Sequence, residues 1–142
     1  MKLRRALEGD AEACVDILRA WIEETPWMPL LHSRGSMLSF WRDRLANVEG
    51  YVCESDRITG FAVRDGKYVT ALFVASDARR MGIGSRLLEA VADKRDTHLW
   101  TFQANETARA FYRANGFQEL SRTSGDNEEK LADVLLFRPR SA

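Results

Sequence analysis

The chain has 142 residues, enough for one packed core and too few for two ordinary ones, so a single domain over 1–142 is expected. Its 21 Lys and Arg balance 21 Asp and Glu, which leaves no global field to draw it to nucleic acid or an anionic membrane. No apolar run reaches bilayer length and Met1-Lys2-Leu3-Arg4-Arg5 leads into polar sequence, so a cytoplasmic protein with neither nucleic-acid nor membrane partners is expected.

Leu3 to Leu7 reads as a first strand. Asp10 then stands where a helix cap belongs, ahead of Cys14, Ile17, Leu18 and Trp21 at helical spacing. Glu24-Thr25-Pro26-Trp27-Met28-Pro29 breaks that helix, and Ser36 is expected to start a second one, with Leu38, Trp41 and Leu45 on one face. Strands follow at Tyr51 to Glu54, Ile58 to Arg64 and Tyr68 to Val74, divided by turns at Ser55-Asp56 and Asp65-Gly66. A helix from Gly84 through Leu87, Leu88 and Val91, a strand from Thr97 to Phe102, a helix after Asn105, and strands at Phe117 to Thr123 and Val134 to Phe137 complete the mixed α/β pattern. Cys14 and Cys53 fall among apolar residues and read as two buried thiols, and His32 and His98 lack partners at metal-ligand spacing, so no metal site is expected.

The chemistry concentrates in the run from Val74 to Leu88. An apolar strand passes through a polar turn into Arg79-Arg80-Met81-Gly82-Ile83-Gly84-Ser85, the start of a helix. Glycines at 82 and 84 lack the Cβ atoms that would hold a ligand off the main chain, and the helix adds its positive end, so this turn reads as a pyrophosphate cradle. Arg79 and Arg80 add charge-assisted donors beside it. The spacing is neither a P-loop nor a dinucleotide fingerprint. It resembles the acyl-CoA signature of the GNAT superfamily of N-acetyltransferases. Downstream, Asn105-Glu106-Thr107-Ala108-Arg109-Ala110-Phe111-Tyr112-Arg113-Ala114-Asn115-Gly116-Phe117 is similar to a second segment of that superfamily. Asn105 can cap this helix, Ala108, Phe111 and Tyr112 share one face, and Gly116 ends it.

The resemblance covers nearly the whole chain. It implies a mixed central sheet of about six to seven strands flanked by about four helices and splayed where CoA enters, and an enzyme that moves acetyl from acetyl-CoA to a primary amine in a ternary complex. It further implies that Leu72, Phe73 and Val74 meet the pantetheine arm through their main chain. Arg79, Arg80, Met81, Gly82, Ile83, Gly84 and Ser85 would hold the pyrophosphate, Asn105 would contact the cofactor, and Tyr112 would protonate the departing thiolate. A non-catalytic acyl-CoA-binding module is the competing reading, since the strand Tyr68 to Val74 carries no carboxylate to act as base. Thr70 can order a water there, and His32 and the acids of the late loop are the other candidates. Trp27, Met28 and His32, in an unusually apolar connection between helices, are expected on the acceptor side with Thr70. Residues 124–133 set four acids against one lysine, a patch that suits a cationic amine or forms a solvated loop. The residues leave open whether the acceptor is a small molecule or a peptide amine. The resemblance adds homodimer formation through late strands or sheet edges.

Overall fold

In a computed structural model describing residues 1–141, seven strands form one sheet in the order β1-β2-β3-β4-β5-β7-β6. The elements in chain order are β1 Lys2–Arg5, α1 Ala11–Glu23, α2 Arg34–Asn47, β2 Glu49–Glu54, β3 Ile58–Asp65, β4 Tyr68–Val74, α3 Ile83–Ala92, β5 Thr97–Phe102, α4 Glu106–Ala114, β6 Gln118–Thr123 and β7 Asp133–Arg138. No helix among the described residues is long and apolar enough to cross a membrane.

The sheet is covered on both faces. α1 and α2 close one side over Cys14, Val15, Met37, Trp41, Val52, Phe61 and Val63, while α3 and α4 close the other over Cys53, Ala62, Leu87, Leu88, Leu99 and Val134. Residues Thr59 to Arg64 of β3 are all buried, which explains why its sequence lacks the alternation of a half-exposed strand. Cys14 and Cys53 are both free and buried, and burial pushes the Cys14 thiol up to about 12.

Two helix starts differ from the sequence reading. Ser33, not Ser36, caps α2: its extended backbone lets its hydroxyl accept from the Ser36 amide at 3.1 Å. Asp10 precedes α1 in helical conformation and caps nothing there. Its carboxylate turns back to accept from the Leu7 amide at 2.7 Å and from two Arg4 nitrogens at 2.9 Å, fastening β1 to the turn ahead of α1.

Three features shape the middle of the sheet. β4 and β5 run parallel and pair at a single register position, Tyr68 with His98, after which the strands part. The β3–β4 register slips between Val63 and Arg64, leaving Thr70 without a partner. One extra residue reverses the alternation, so Val69 packs with the α3 side and Ala71 and Phe73 with the α1 side. Gly60 of β3 admits α3: a Cβ there would stand 3.0 Å from both Ile83 Cγ2 and Leu87 Cδ1 and 3.1 Å from the Phe73 carbonyl oxygen. At the far end of α3, the buried Arg64 guanidinium donates to the carbonyls of Val91, Asp96 and Gly66 and to Thr97 Oγ1, at 2.7–3.0 Å. These bonds tie the carbonyl end of α3 to β3 and β5 and so fix where its amino end points.

Candidate active site

Where β4 and β5 part, two hollows open on either side of one tyrosine. The first, about 1030 Å³, runs from Leu72–Val74 past the turn at 78–82 to the start of α3. β4 has lost its β5 partner here, so its main-chain groups on that edge are free to meet a ligand as an added strand would. Gly82 takes φ +78° at the helix cap and bears no capping side chain, which leaves the leading amides of Ile83, Gly84 and Ser85 without a side-chain partner. A Cβ at Gly82 would meet no atom within 4 Å, so the position faces open space. Gly84 differs: a Cβ there would lie 3.5 Å from the Phe111 ring of α4, an ordinary packing contact.

The arginines are not equivalent. Arg79 is ion-paired with Glu24 at the end of α1, and Glu24 also lines the cleft. Arg80, in the left-handed region at φ 66°, makes no ion pair among the described residues. Glu106 lines the same wall, so the cleft carries little net charge and anion binding there falls mainly to amides and Arg80. Met81 was expected at the cradle, but its side chain is 64% exposed and lies outside the cleft. The chemistry present, free amides at a helix start beside a cation and an unpaired strand edge, fits the diphosphate and amide arm of a CoA thioester.

Tyr112 lines both hollows. It is held on α4 by the Asn105 cap, whose Oδ1 accepts from the Ala108 amide at 3.1 Å, and by edge-on packing against Phe111 and Phe117 at 5.2 and 5.4 Å. Burial pushes its phenol above the ordinary tyrosine value. Leu72, Phe73 and Asn105 are likewise shared between the two hollows.

The second hollow, about 520 Å³, is mostly apolar and lies between the α1–α2 connection, α2, the parted strands and the β6–β7 loop. Met28, His32 and Thr70 line it as expected. Trp27, expected beside them, lines the first cleft instead, because neighbouring side chains of this turn point apart; its ring packs edge-on between Trp21 at 5.9 Å and Phe102 at 5.8 Å. Trp100, at the end of its strand a candidate for either pocket or core, lines the hollow, as do Trp21, Phe40 and Trp41, which the sequence does not mark as site residues. Trp21 and Trp41 carry the spacing of core-facing helix positions, and that spacing cannot separate a core wall from a cavity wall. From the late loop come Glu128, bonded to His32 across the opening, and Glu129, whose carboxyl is raised by burial and then by the neighbouring Glu128 charge.

Comparison with known proteins gives this arrangement a family. Residues 46–119 match the family described as Acetyltransferase (GNAT) domain. The chain is 36% identical over 114 residues to the peptidyl-lysine N-acetyltransferase YiaC of Escherichia coli (strain K12), covering 71% of this chain and 74% of YiaC. The solution structure of apo YjaB from Escherichia coli superposes with a TM-score of 0.78 at 22% identity, over 99% of this chain and 98% of that one. A phosphinothricin acetyltransferase from Sinorhizobium meliloti, solved in complex with AcCoA, superposes at 0.77 with 19% identity, over 99% and 88% of the two chains. The sheet order and the flanking helices are thus those of an acyltransferase fold. The chain belongs to the GNAT family of acetyl-CoA-dependent N-acetyltransferases.

Proposed function

We propose that the protein transfers the acetyl group of acetyl-CoA to a primary amine by direct attack while both substrates are bound. The observation that carries this reading is Tyr112 standing between a cleft suited to a CoA thioester and a cavity suited to an organic amine. Main-chain groups of Leu72, Phe73 and Val74 would hold the pantetheine arm, and the amides of Ile83, Gly84 and Ser85 with Arg80 would hold the diphosphate. Arg79 shares its charge with Glu24, and Asn105 closes the wall between the two hollows. When bound, acetyl-CoA supplies an activated carbonyl with a thiolate as leaving group.

Tyr112 keeps a proton on its phenolic oxygen for the departing sulfur. Its raised pKa guarantees the protonated form at working pH, but makes full transfer to a thiolate of pKa ~8.5 harder than from an ordinary phenol. Its contribution is therefore first a hydrogen bond to developing negative charge. On the amine side, no carboxylate stands on β4, and Glu129, Glu128 and His32 are the cavity groups able to take a proton directly or through water. The similarity to a peptidyl-lysine N-acetyltransferase supports a primary amine as the acceptor class. We place the reaction in the cytoplasm.

Tyr112→Phe tests the reading. Release of free CoA thiol should fall on the order of 10²-fold while the acetyl-CoA Kd stays within about twofold of the parent. Unchanged turnover would remove Tyr112 from the chemistry.

A further inference from the structure

The apolar cavity carries its carboxylates on one side only. The register of β5 with β7 sets Phe102 opposite Asp133, and the Gln103 amide donates to the Ala132 carbonyl at 2.9 Å. The loop carrying Glu128 and Glu129 therefore rises from the same end of β5 that leads through the Asn105 cap into α4 and Tyr112. Away from this end the walls are Met37, Phe40 and Trp41 of α2 and the exposed face of Trp100 on β5. The hollow is thus acidic where this loop enters and aromatic along the rest of its wall, with Trp21, Phe73 and Phe102 adding to the rings of α2 and Trp100.

Its charge is one-sided. No lysine or arginine lines it among the described residues, and its one group able to become cationic, His32, is already bonded to Glu128. Glu129 lies deeper than Glu128 and makes no ion pair among the described residues. Arg19, which borders the wall, has its Nη1 engaged by the His32 carbonyl and Met37 Sδ, and a carboxylate entering this cavity would meet two acids on its wall, a like-charge contact. An ammonium would meet the opposite.

We infer that the acceptor is a small primary amine on an aromatic or branched apolar body, without a carboxylate, and that Glu129 receives its ammonium group at the Tyr112 end of the cavity. The volume, about 520 Å³, suits one such molecule. A lysine arm reaching the same end would leave the aromatic walls of α2 and Trp100 unfilled. The inference rests on the acetyl-transfer reading above and narrows it to a substrate class.

The test compares three acceptors with one acyl donor: phenethylamine, phenylalanine and a lysine-containing peptide amide. We expect kcat/KM for phenethylamine to exceed that for phenylalanine by on the order of 10²-fold, and to exceed that for the peptide. Glu129→Gln should raise the phenethylamine KM by on the order of tenfold with acetyl-CoA affinity unchanged, and Glu129→Asp should recover part of it. Preference for phenylalanine or for the peptide would overturn the inference and leave acetyl transfer standing. If acetyl-CoA failed to bind, the donor reading would fall instead. The cavity assignment would then be decided by the thermal shift that phenethylamine alone gives the protein: a shift lost in Glu129→Gln supports it, and no shift overturns it.

Discussion

The Arg79 guanidinium donates to the Glu24 carboxylate, joining the end of α1 to the turn ahead of α3 at the rim of the cleft assigned to CoA. The bond neutralises one of two arginines that the sequence offers to phosphate. Glu24→Gln frees that charge and should tighten acetyl-CoA binding by about two- to fivefold at low salt, an effect that shrinks as salt rises. Arg80→Ala should weaken binding more than Arg79→Ala does. Calorimetry on the three variants decides, and equal affinities throughout would assign the diphosphate to the amides alone.

Gly60 governs how close α3 lies to the sheet. A methyl group there meets two side-chain tips and the Phe73 carbonyl, and the carbonyl cannot move without disturbing β4. Gly60→Ala is expected to cost about 1–3 kcal/mol in urea unfolding. It should also weaken acetyl-CoA binding, because the first turn of α3 is what shifts. Parent-like values in both measurements would show that Ile83 and Leu87 absorb the methyl by rotation.

The pH dependence of turnover should lack a limb from Tyr112. A buried phenol raised above its ordinary 10.0 stays protonated across the accessible range, so activity should not fall with a tyrosine-like titration as pH rises toward 10. A falling alkaline limb below that pH which vanishes in Tyr112→Phe would contradict the burial.

Acid stability should depend on Asp10. Arg4 hydrogen bonds hold its carboxyl below the usual range against the opposing effect of burial, and the Leu7 amide adds to them. A depressed folded value means the contribution is complete above the unfolded pKa of ~3.9 and is lost as pH falls through the folded one. Asp10→Asn should cost about 1–3 kcal/mol at neutral pH, and its deficit relative to the parent should shrink toward pH 2. A deficit that does not change with pH would make the role steric.

Much of this was legible in the residues because the governing forces are local. Spacing placed all seven strands and four helices, and Gly82, Asn105 and Tyr112 sit on the elements that their neighbours dictate. What escaped depends on contacts between distant segments. The Arg79–Glu24 and His32–Glu128 bonds join residues 55 and 96 positions apart, and no pattern within a window of the sequence carries them. Trp27 and Met28 are adjacent and face different hollows, a division set by the turn's geometry and not by composition. The slip at Thr70 is equally silent, since an extra residue in a strand looks like any other until its partner strand is known.

A single rung between Tyr68 and His98 is all the pairing that joins the block β1–β4 to the block β5–β7. Across the middle of the sheet the join is therefore made mainly by side chains: the core beneath α3 and the Arg64 bonds to Thr97 and Asp96. A ligand lying along the parted edge of β4 would supply some of the main-chain pairing that β5 does not give it.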